Sequence, residues 1–427
     1  MLTTTSQLWR FWHTTRGRTH LGLQKMHAKY GPVFRVSPNE LSFATETAFR
    51  TIYGNTGHQQ SGKSSDPHGG EPLLFPKGDI YDMLAGAYES RCISSVREPA
   101  EHARMKRMLA AVFSPRALAE QEPIVQRCID GFVDKIGRVS RREGKKGIDL
   151  VDWMDMIAFD ILGEMSFGES FGCVQSEKVH GWIDILLRNV KEVIIADNLR
   201  RVRVLELIGK WLLPWVVSGV RNKHADFSRA KVQKRLEAEA AYGLASSESD
   251  SHVPRRQDFM TPIADKVRAG QVSQEEMSAH ASIIVTAGAE TTSTSVSASL
   301  YYLLKNPSTM EKLKAEVRGS WDTYADIDAA SAMQLPYLRA VMDESMRVHP
   351  PGPQGFSRNS PGCAVDGIWV PKGTEVYTST WTLTHDSRYF HEPDSFIPER
   401  WLDPNCQDVK EAHQPFLIGS RACIGRK

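Results

Sequence analysis

Three things are scarce in this sequence, and each absence excludes a class of protein. The chain has 6 cysteines in 427 residues and no C-x-x-C pair, which argues against a disulfide framework or a structural zinc site and favours a reducing compartment. No segment reaches the roughly 20 apolar residues of a membrane span. Net charge is also low: 53 basic against 51 acidic residues leave +2, so no strong field attracts nucleic acid to the chain.

Helical periodicity dominates what is present. It covers about residues 99–242 and resumes at 273–305 and 336–348, where prolines follow the last two segments. The polar stretch at 246–256 is the best candidate for a linker. The chain is therefore predicted to be mainly α-helical.

A small β region is predicted beside the helices. Short strands are expected at 33–36, 41–43 and 375–377, where β-forming residues stand between turn signals. Asp366-Gly367 between two apolar triplets predicts a two-residue hairpin. Residues 61–80 are rich in Gly, Ser, Pro and His, which predicts a loop.

The strongest chemical signal lies at residues 416–425, F-L-I-G-S-R-A-C-I-G. It fits the pattern F-x-x-G-x-R-x-C-x-G, and a chance match in a chain of this length is expected about once in ten thousand. The pattern resembles the heme-binding signature of cytochromes P450. The resemblance implies that Cys423 is the iron ligand and that Phe416 and Gly419 shape the cofactor-binding loop. A helix start after the cysteine would stabilise its thiolate. The alternative is a buried, inert cysteine.

A second motif supports the resemblance. Glu344 and Arg347 form an E-x-x-R on a predicted helix, and Phe396–Trp401 is similar to the family's P-E-R segment. The resemblance implies that Arg400 completes a buried structural network with both. By itself, the Glu344 and Arg347 spacing is equally typical of a surface ion pair.

The third motif is A-G-A-E-T-T at residues 287–292, inside the helix predicted at 273–305. A glycine within a helix costs about 1 kcal/mol relative to alanine, so it needs a structural reason. The motif resembles the family's oxygen-binding groove, in which a helix kink makes room beside the iron. Glu290 and Thr291 then match the acid and alcohol that deliver protons. The alternative is a polar, exposed helix.

Four basic residues match positions that contact the heme propionates. Arg358 and Arg421 match them directly. His102 and Lys106 are four residues apart on a predicted helix, where relatives carry Trp or His followed by Arg. Lysine retains the charge but lacks the bidentate fork of arginine. The alternative for this pair is a solvated basic face shared with Arg104 and Arg107.

The resemblance extends over nearly the whole chain and is greatest to fungal members that tailor secondary metabolites. It implies one P450 domain over residues 1–427, in which the family's N-terminal anchor and closing helix are missing. The closing helix normally supports the cysteine loop, so poor heme loading is expected from its loss. Localisation on the cytosolic face of the endoplasmic reticulum membrane and peripheral membrane contact are implied by the same resemblance.

The implied activity is that of a monooxygenase with heme b. It would insert one atom of dioxygen into an apolar small molecule, with electrons from NADPH delivered by a separate P450 reductase. Substrate contacts are expected from Ile284, Ala287, Gln354, Gly355 and Phe356. Two alternatives remain: a heme-thiolate isomerase or dehydratase, against which Thr291 argues, and a truncated protein without catalytic activity. The sequence does not identify the substrate.

Overall fold

The computed structural model describes residues 6–54, 74–85, 88–202, 222–242 and 256–426. These residues are mainly α-helical with a small β region, as predicted. The predicted linker lies outside them except for its last residue, as do residues 61–73 of the predicted loop. The helices are α1 (Leu8–Thr15), α2 (Thr19–Tyr30), α3 (Glu46–Tyr53), α4 (Ile80–Leu84), α5 (Pro99–Ala110), α6 (Pro115–Glu143), α7 (Leu150–Phe167), α8 (Cys173–Ser176), α9 (Gly181–Arg200), α10 (222–242), α11 (Thr261–Arg268), α12 (Gln274–Lys305), α13 (Pro307–Gly319), α14 (Ala329–Ala332), α15 (Pro336–Val348) and α16 (Thr380–Thr384). Turns of 3-10 helix occur at Gly144–Lys146, Tyr324–Asp326, Pro398–Trp401, Lys410–Ala412, Gly419–Arg421 and Ile424–Arg426.

The β region consists of a mixed sheet and a separate hairpin. The strands are β1 (Val33–Ser37), β2 (Glu40–Phe43), β3 (Arg358–Asn359), β4 (Cys363–Val365), β5 (Ile368–Val370) and β6 (Glu375–Thr378). The sheet order is β1–β2–β6–β3, in which β2 and β6 are parallel and the other pairs antiparallel. The hairpin of β4 and β5 pairs Val365 with Ile368 around Asp366-Gly367, which confirms the predicted turn.

Local signals explain where several helices begin and end. The Ser114 hydroxyl accepts a hydrogen bond from the Ala117 amide at 3.2 Å, and the Asp149 carboxylate accepts one from the Val151 amide at 2.9 Å. Gly163 lies inside α7. The helix continues to Phe167 and ends where Gly168 adopts a left-handed conformation with φ of 82°.

The chain forms two compact units. The first comprises Met1–Ile80 and Ser295–Cys423, and the second comprises Tyr81–Thr294 and Ile424–Lys427. In the first unit, one core cluster joins the mixed sheet, the hairpin, α3 and α16; its members include Phe43, Phe49, Tyr53, Val376 and Leu383. In the second, the fully buried Trp182 stacks on Phe171, His224 and Phe227. The single domain over 1–427 stays a prediction.

Helix length and polarity bear on membrane insertion. Among the described residues, no helix is both long enough and apolar enough to cross a membrane.

Candidate functional site

The predicted ligand cysteine lies in a loop of the first unit. Cys423 is exposed and forms no disulfide, so the alternative of a buried cysteine is wrong. Its amide donates a hydrogen bond to the Phe416 carbonyl at 2.8 Å, which closes the loop. Gly419 has a φ of 75°, a conformation that a glycine adopts without strain. After Cys423, residues Ile424–Arg426 form one turn of 3-10 helix.

Apolar contacts hold this cysteine loop against the core of the first unit. Leu417 and Ile418 are partly buried and pack on the core cluster that contains Phe49 and Tyr53. Burying such side chains contributes roughly 1.5–3 kcal/mol each when burial is complete. The loop is therefore anchored by its apolar residues while the thiol stays accessible.

Arg358, one of the predicted propionate contacts, is buried in the first unit. It lies in β3, is 3% exposed, and its guanidinium lies over the Tyr53 ring at 5.2 Å. Its Nη1 donates to the Ser357 carbonyl at 3.0 Å. Arg421 lies two residues before Cys423 in a 3-10 turn and is half-buried.

The predicted substrate segment 354–356 ends two residues before Arg358. The Tyr53 hydroxyl donates to the Phe356 carbonyl at 2.7 Å, while the Phe356 ring is 37% exposed. Gly355 has a φ of 86°, and a Cβ atom there would lie 1.9 Å from the Thr378 carbonyl oxygen. No other residue fits without moving the backbone. Gln354 is exposed.

The groups of the first unit fit a heme by their chemistry. An accessible thiol is the ligand type for thiolate-bound iron, and guanidinium groups form charge-assisted hydrogen bonds with carboxylates. Cys423 supplies the thiol, and Arg358 and Arg421 supply the guanidinium groups. The roles of these three residues stay predictions.

The structure brings Glu344, Arg347 and Arg400 together in the first unit. Glu344 and Arg347 are fully buried, with Arg347 Nε 2.8 Å from Glu344 Oε2 and its Nη2 2.9 Å from Oε1. Arg400 Nε donates to Glu344 Oε1 at 3.1 Å. A surface ion pair is therefore the wrong description of Glu344 and Arg347.

Two further members of this network were not assigned to it from the sequence. The Trp401 indole donates to Glu344 Oε2 at 3.0 Å, and Asp408 forms an ion pair with Arg400. Trp401 could have been suspected because it directly follows Arg400. Asp408 lies in an irregular segment, and only the folded chain brings it to the arginine.

The oxygen-groove motif lies within α12 in the second unit. Ala287, Glu290 and Thr291 are exposed on this helix, and Ile284 is half-buried. Thr291 Oγ1 donates to the Ala287 carbonyl at 2.7 Å. Gly288 has a packing reason, because a Cβ atom there would lie 2.7 Å from the Leu162 side chain.

The Glu290 carboxyl has a perturbed pKa. Although the residue as a whole is exposed, desolvation of its carboxyl by surrounding atoms raises this pKa above its usual value, and the negative charge of Asp155 raises it further. A raised pKa suits a group that must hold a proton nearer to neutral pH. This is the property that a proton-delivering acid requires.

The second pair of predicted propionate contacts lies on α5 in the second unit. His102 is buried and Lys106 is half-buried. Of the two arginines in the alternative of a solvated basic face, Arg107 is exposed and Arg104 is half-buried. Arg104 forms ion pairs with Glu101 at 2.7 Å and with Glu276 at 2.6 Å.

Comparison with known proteins extends over the whole chain. The sequence profile described as cytochrome P450 matches residues 5–427. A cytochrome P450 monooxygenase of Penicillium roqueforti is 43% identical over 100% of this chain and 78% of its own length. One of Botryotinia fuckeliana is 41% identical over 99% of this chain and 75% of its own length. The averantin hydroxylase of Dothistroma septosporum is 35% identical over 97% and 73%, respectively.

Proposed function

Because the chain belongs to the cytochrome P450 family, we propose that it is a heme-dependent monooxygenase that inserts one oxygen atom into an apolar small molecule. Family membership confirms the predicted fold, the oxidoreductase class and heme as the cofactor. The observation that carries the proposal is Cys423, which is exposed in a loop anchored on the core.

The cofactor-binding roles follow from side-chain chemistry. Heme iron bound by a thiolate supplies dioxygen binding and cleavage of the O–O bond. Cys423 is the proposed iron ligand, and Phe416 and Gly419 hold its loop through the hydrogen bond and the turn described above. Arg358 and Arg421 bind the carboxylates, with His102 and Lys106 as further contacts.

Thr291 and Glu290 are the proposed proton-handling residues. The Thr291 hydroxyl now donates to a carbonyl of its own helix, so a rotation about its side-chain bond would redirect that proton. Glu290 has a carboxyl with a raised pKa and is exposed, so it can exchange protons with solvent. Thr291 is thus the proposed proton donor, and Glu290 is the proposed group that holds a proton taken from solvent.

The substrate and the pathway are finer parts of the proposal. We assign substrate contacts to Ile284 and Ala287 on α12 and to residues 354–356. The name of the averantin hydroxylase supports hydroxylation as the reaction. We assign to this chain a tailoring step in fungal secondary metabolism.

Electrons would come from NADPH through a separate P450 reductase, at the cytosolic face of the endoplasmic reticulum. Peripheral membrane contact is supported by α1, which exposes Leu8 (66%), Phe11 (42%) and Trp12 (54%). The Arg16 guanidinium lies 3.5 Å above the Trp12 ring. Aromatic and basic residues together are typical of a membrane interface.

The iron-ligand assignment is tested by two cysteine variants. Cys423→Ala should abolish the red-shifted absorbance band that reduced thiolate heme gives with carbon monoxide. Cys406→Ala, the matched control, should retain it. A Cys423→Ala protein that kept the band would exclude Cys423 as the ligand.

Proton delivery is tested separately. Thr291→Ala should leave heme content unchanged but divert electrons from NADPH into hydrogen peroxide released to solution. The measurement is the ratio of product formed to NADPH consumed. An unchanged ratio would remove Thr291 from the mechanism, and product formation without NADPH would favour the isomerase or dehydratase alternative.

A further inference from the structure

Two buried cations face each other in the first unit. Lys77 and Arg358 are partners in an isolated antiparallel β-bridge. Lys77 is 5% exposed and Arg358 is 3% exposed. Directly opposed residues in antiparallel pairing project their side chains to the same side of the sheet. The ammonium and the guanidinium therefore leave the backbone on one face.

The hydrogen bonds around the bridge bring these side chains close. The Gly78 amide donates to the Ser357 carbonyl at 3.1 Å, and the Asn359 amide donates to the Pro76 carbonyl at 2.8 Å. These two bonds lie on either side of the Lys77 and Arg358 pair. The backbones of Lys77 and Arg358 do not bond to each other, so this is a non-hydrogen-bonded pair. In such pairs the Cα atoms are about 4.5 Å apart and the side chains are closer than in the other kind.

Further contacts fix the register of the bridge. Asn359 Nδ2 donates to Asp79 Oδ1 at 2.9 Å, which ties the two segments together beyond the bridge. On its other side, Arg358 pairs with Val376 of β6. A Cβ atom at Gly78 would lie 1.8 Å from the Ser357 hydroxyl oxygen, so any larger residue there would force the Ser357 side chain to move. The two cations are thus held by the sheet and not by flexible loops.

Like charges on directly opposed residues repel each other, and burial adds a desolvation cost to each. A carboxylate bound between them attracts both and reduces these costs. Arginine presents a planar fork to a carboxylate, whereas lysine presents a compact point charge. One carboxylate can accept from both at once.

We propose that Lys77 binds a heme carboxylate together with Arg358. The inference rests on the proposed function, because it takes Arg358 as a propionate contact. No sequence motif includes Lys77, which lies in a segment predicted to be a loop. Lys77 is a cofactor-binding residue in addition to the four predicted basic positions.

The test compares heme with heme dimethyl ester, in which both carboxylates are masked. Lys77→Met removes the charge with little change in length, and Lys77→Arg restores a cation. Lys372→Met is the matched control, because Lys372 is an exposed lysine of the same unit. Each holoprotein is reconstituted with either cofactor, and the rate of cofactor loss to excess apomyoglobin is measured.

With heme, Lys77→Met should lose the cofactor roughly tenfold faster than the wild type, as expected for one charge-assisted hydrogen bond. Lys77→Arg should restore most of the retention, and Lys372→Met should match the wild type. With the dimethyl ester, Lys77→Met and the wild type should lose the cofactor at the same rate.

Two outcomes overturn the inference. One is equal retention of heme by Lys77→Met and the wild type. The other is the same acceleration of loss with heme and with the diester, which would make Lys77 a structural residue. The carbon monoxide band of the wild type reports separately on the proposed function. If it is absent while the Lys77 effects appear, the thiolate assignment fails and the carboxylate contact stands.

Discussion

Each of the two units contains a buried network of arginines and carboxylates, and the two networks are built differently. In the first unit, Glu344 is the common acceptor. It receives hydrogen bonds from Arg347, Arg400, the Trp401 indole and the Ile397 amide. Arg347 also donates to backbone carbonyls of three other residues, at 2.7–2.8 Å; these are Thr384, Pro393 and Ser395.

In the second unit, the charges are shared more evenly. Asp258, 1% exposed, is 3.2 Å from Arg235 and 3.0 Å from Arg256. Each arginine has a second carboxylate: Arg235 pairs with Glu239 at 2.5 Å, and Arg256 pairs with Glu164 at 2.5 Å. Asp258 also accepts from the backbone amides of residues 260 and 261 at 3.0 Å.

The difference concerns redundancy. If Asp258 loses its charge, both of its arginines keep an acidic partner. If Glu344 loses its charge, Arg347 keeps only neutral carbonyls, and a buried charge without a counter-ion is costly. We therefore expect the network around Glu344 to be the more fragile of the two.

Glu344→Gln should have the largest effect. It leaves the Arg347 charge in the core of the first unit without a carboxylate, which costs about 3–5 kcal/mol of unfolding free energy. Urea unfolding monitored by tryptophan fluorescence measures this loss. A loss below about 1 kcal/mol would contradict the role of Glu344 as the central acceptor.

Asp258→Asn should destabilise the protein by less, about 2 kcal/mol, because Glu239 and Glu164 continue to neutralise the arginines. The same unfolding experiment applies. The double variant Asp258→Asn with Glu239→Gln should lose more than the sum of the single losses, since Arg235 then has neither of the two carboxylates. Strict additivity would argue against shared neutralisation.

His413 should make the first unit sensitive to acid. Neither of its ring nitrogens has a hydrogen-bond partner among the described residues, and its ring lies 5.2 Å from Trp401. Burial, together with the smaller effect of the Arg347 charge, lowers the His413 pKa to about 3. Because the unfolded chain takes up this proton near pH 6.5, stability is lost as the pH falls from 6.5 towards 3.

The substitution His413→Phe should remove this loss. Relative to the wild type, the variant should gain about 2 kcal/mol of stability at pH 5 compared with pH 7.5. This is because pH 5 lies about 1.5 units below the histidine pKa of about 6.5 in the unfolded chain, and each unit corresponds to about 1.4 kcal/mol. Unfolding curves at both pH values provide the measurement. His391→Phe, at a side chain that is 83% exposed, is the control and should show no such gain. An equal gain in both variants would refute the assignment to His413.

Lys312→Met should have the smallest effect. Lys312 pairs with Glu399 at 2.6 Å, next to Arg400 in sequence, but the two side chains are 58% and 43% exposed. Exposed pairs contribute about 0–1 kcal/mol. A loss as large as that of Glu344→Gln would mean that charge count, and not burial, sets the stability of this region.

Local chemistry let the sequence predict much of the fold. The segment at 336–348 was predicted to be a helix, and α15 has these bounds because Pro336 starts it and prolines follow it. Asp366-Gly367 forms the predicted hairpin turn because both residues tolerate positive φ, here 49° and 75°. The cysteine motif was recognisable because its fixed residues lie within ten positions of one another. Such features depend on neighbouring residues and can be derived without the fold.

Only the tertiary structure decided which distant residues meet. Asp408 reaches Arg400, Leu162 fills the space over Gly288, and Lys77 faces Arg358. The last two of these pairs join positions separated by more than a hundred residues, and no local propensity encodes them. A buried charge or a missing Cβ atom shows that a partner must exist. The identity of that partner depends on how helices and strands pack, because close packing and the desolvation of charge act between segments and not along the chain.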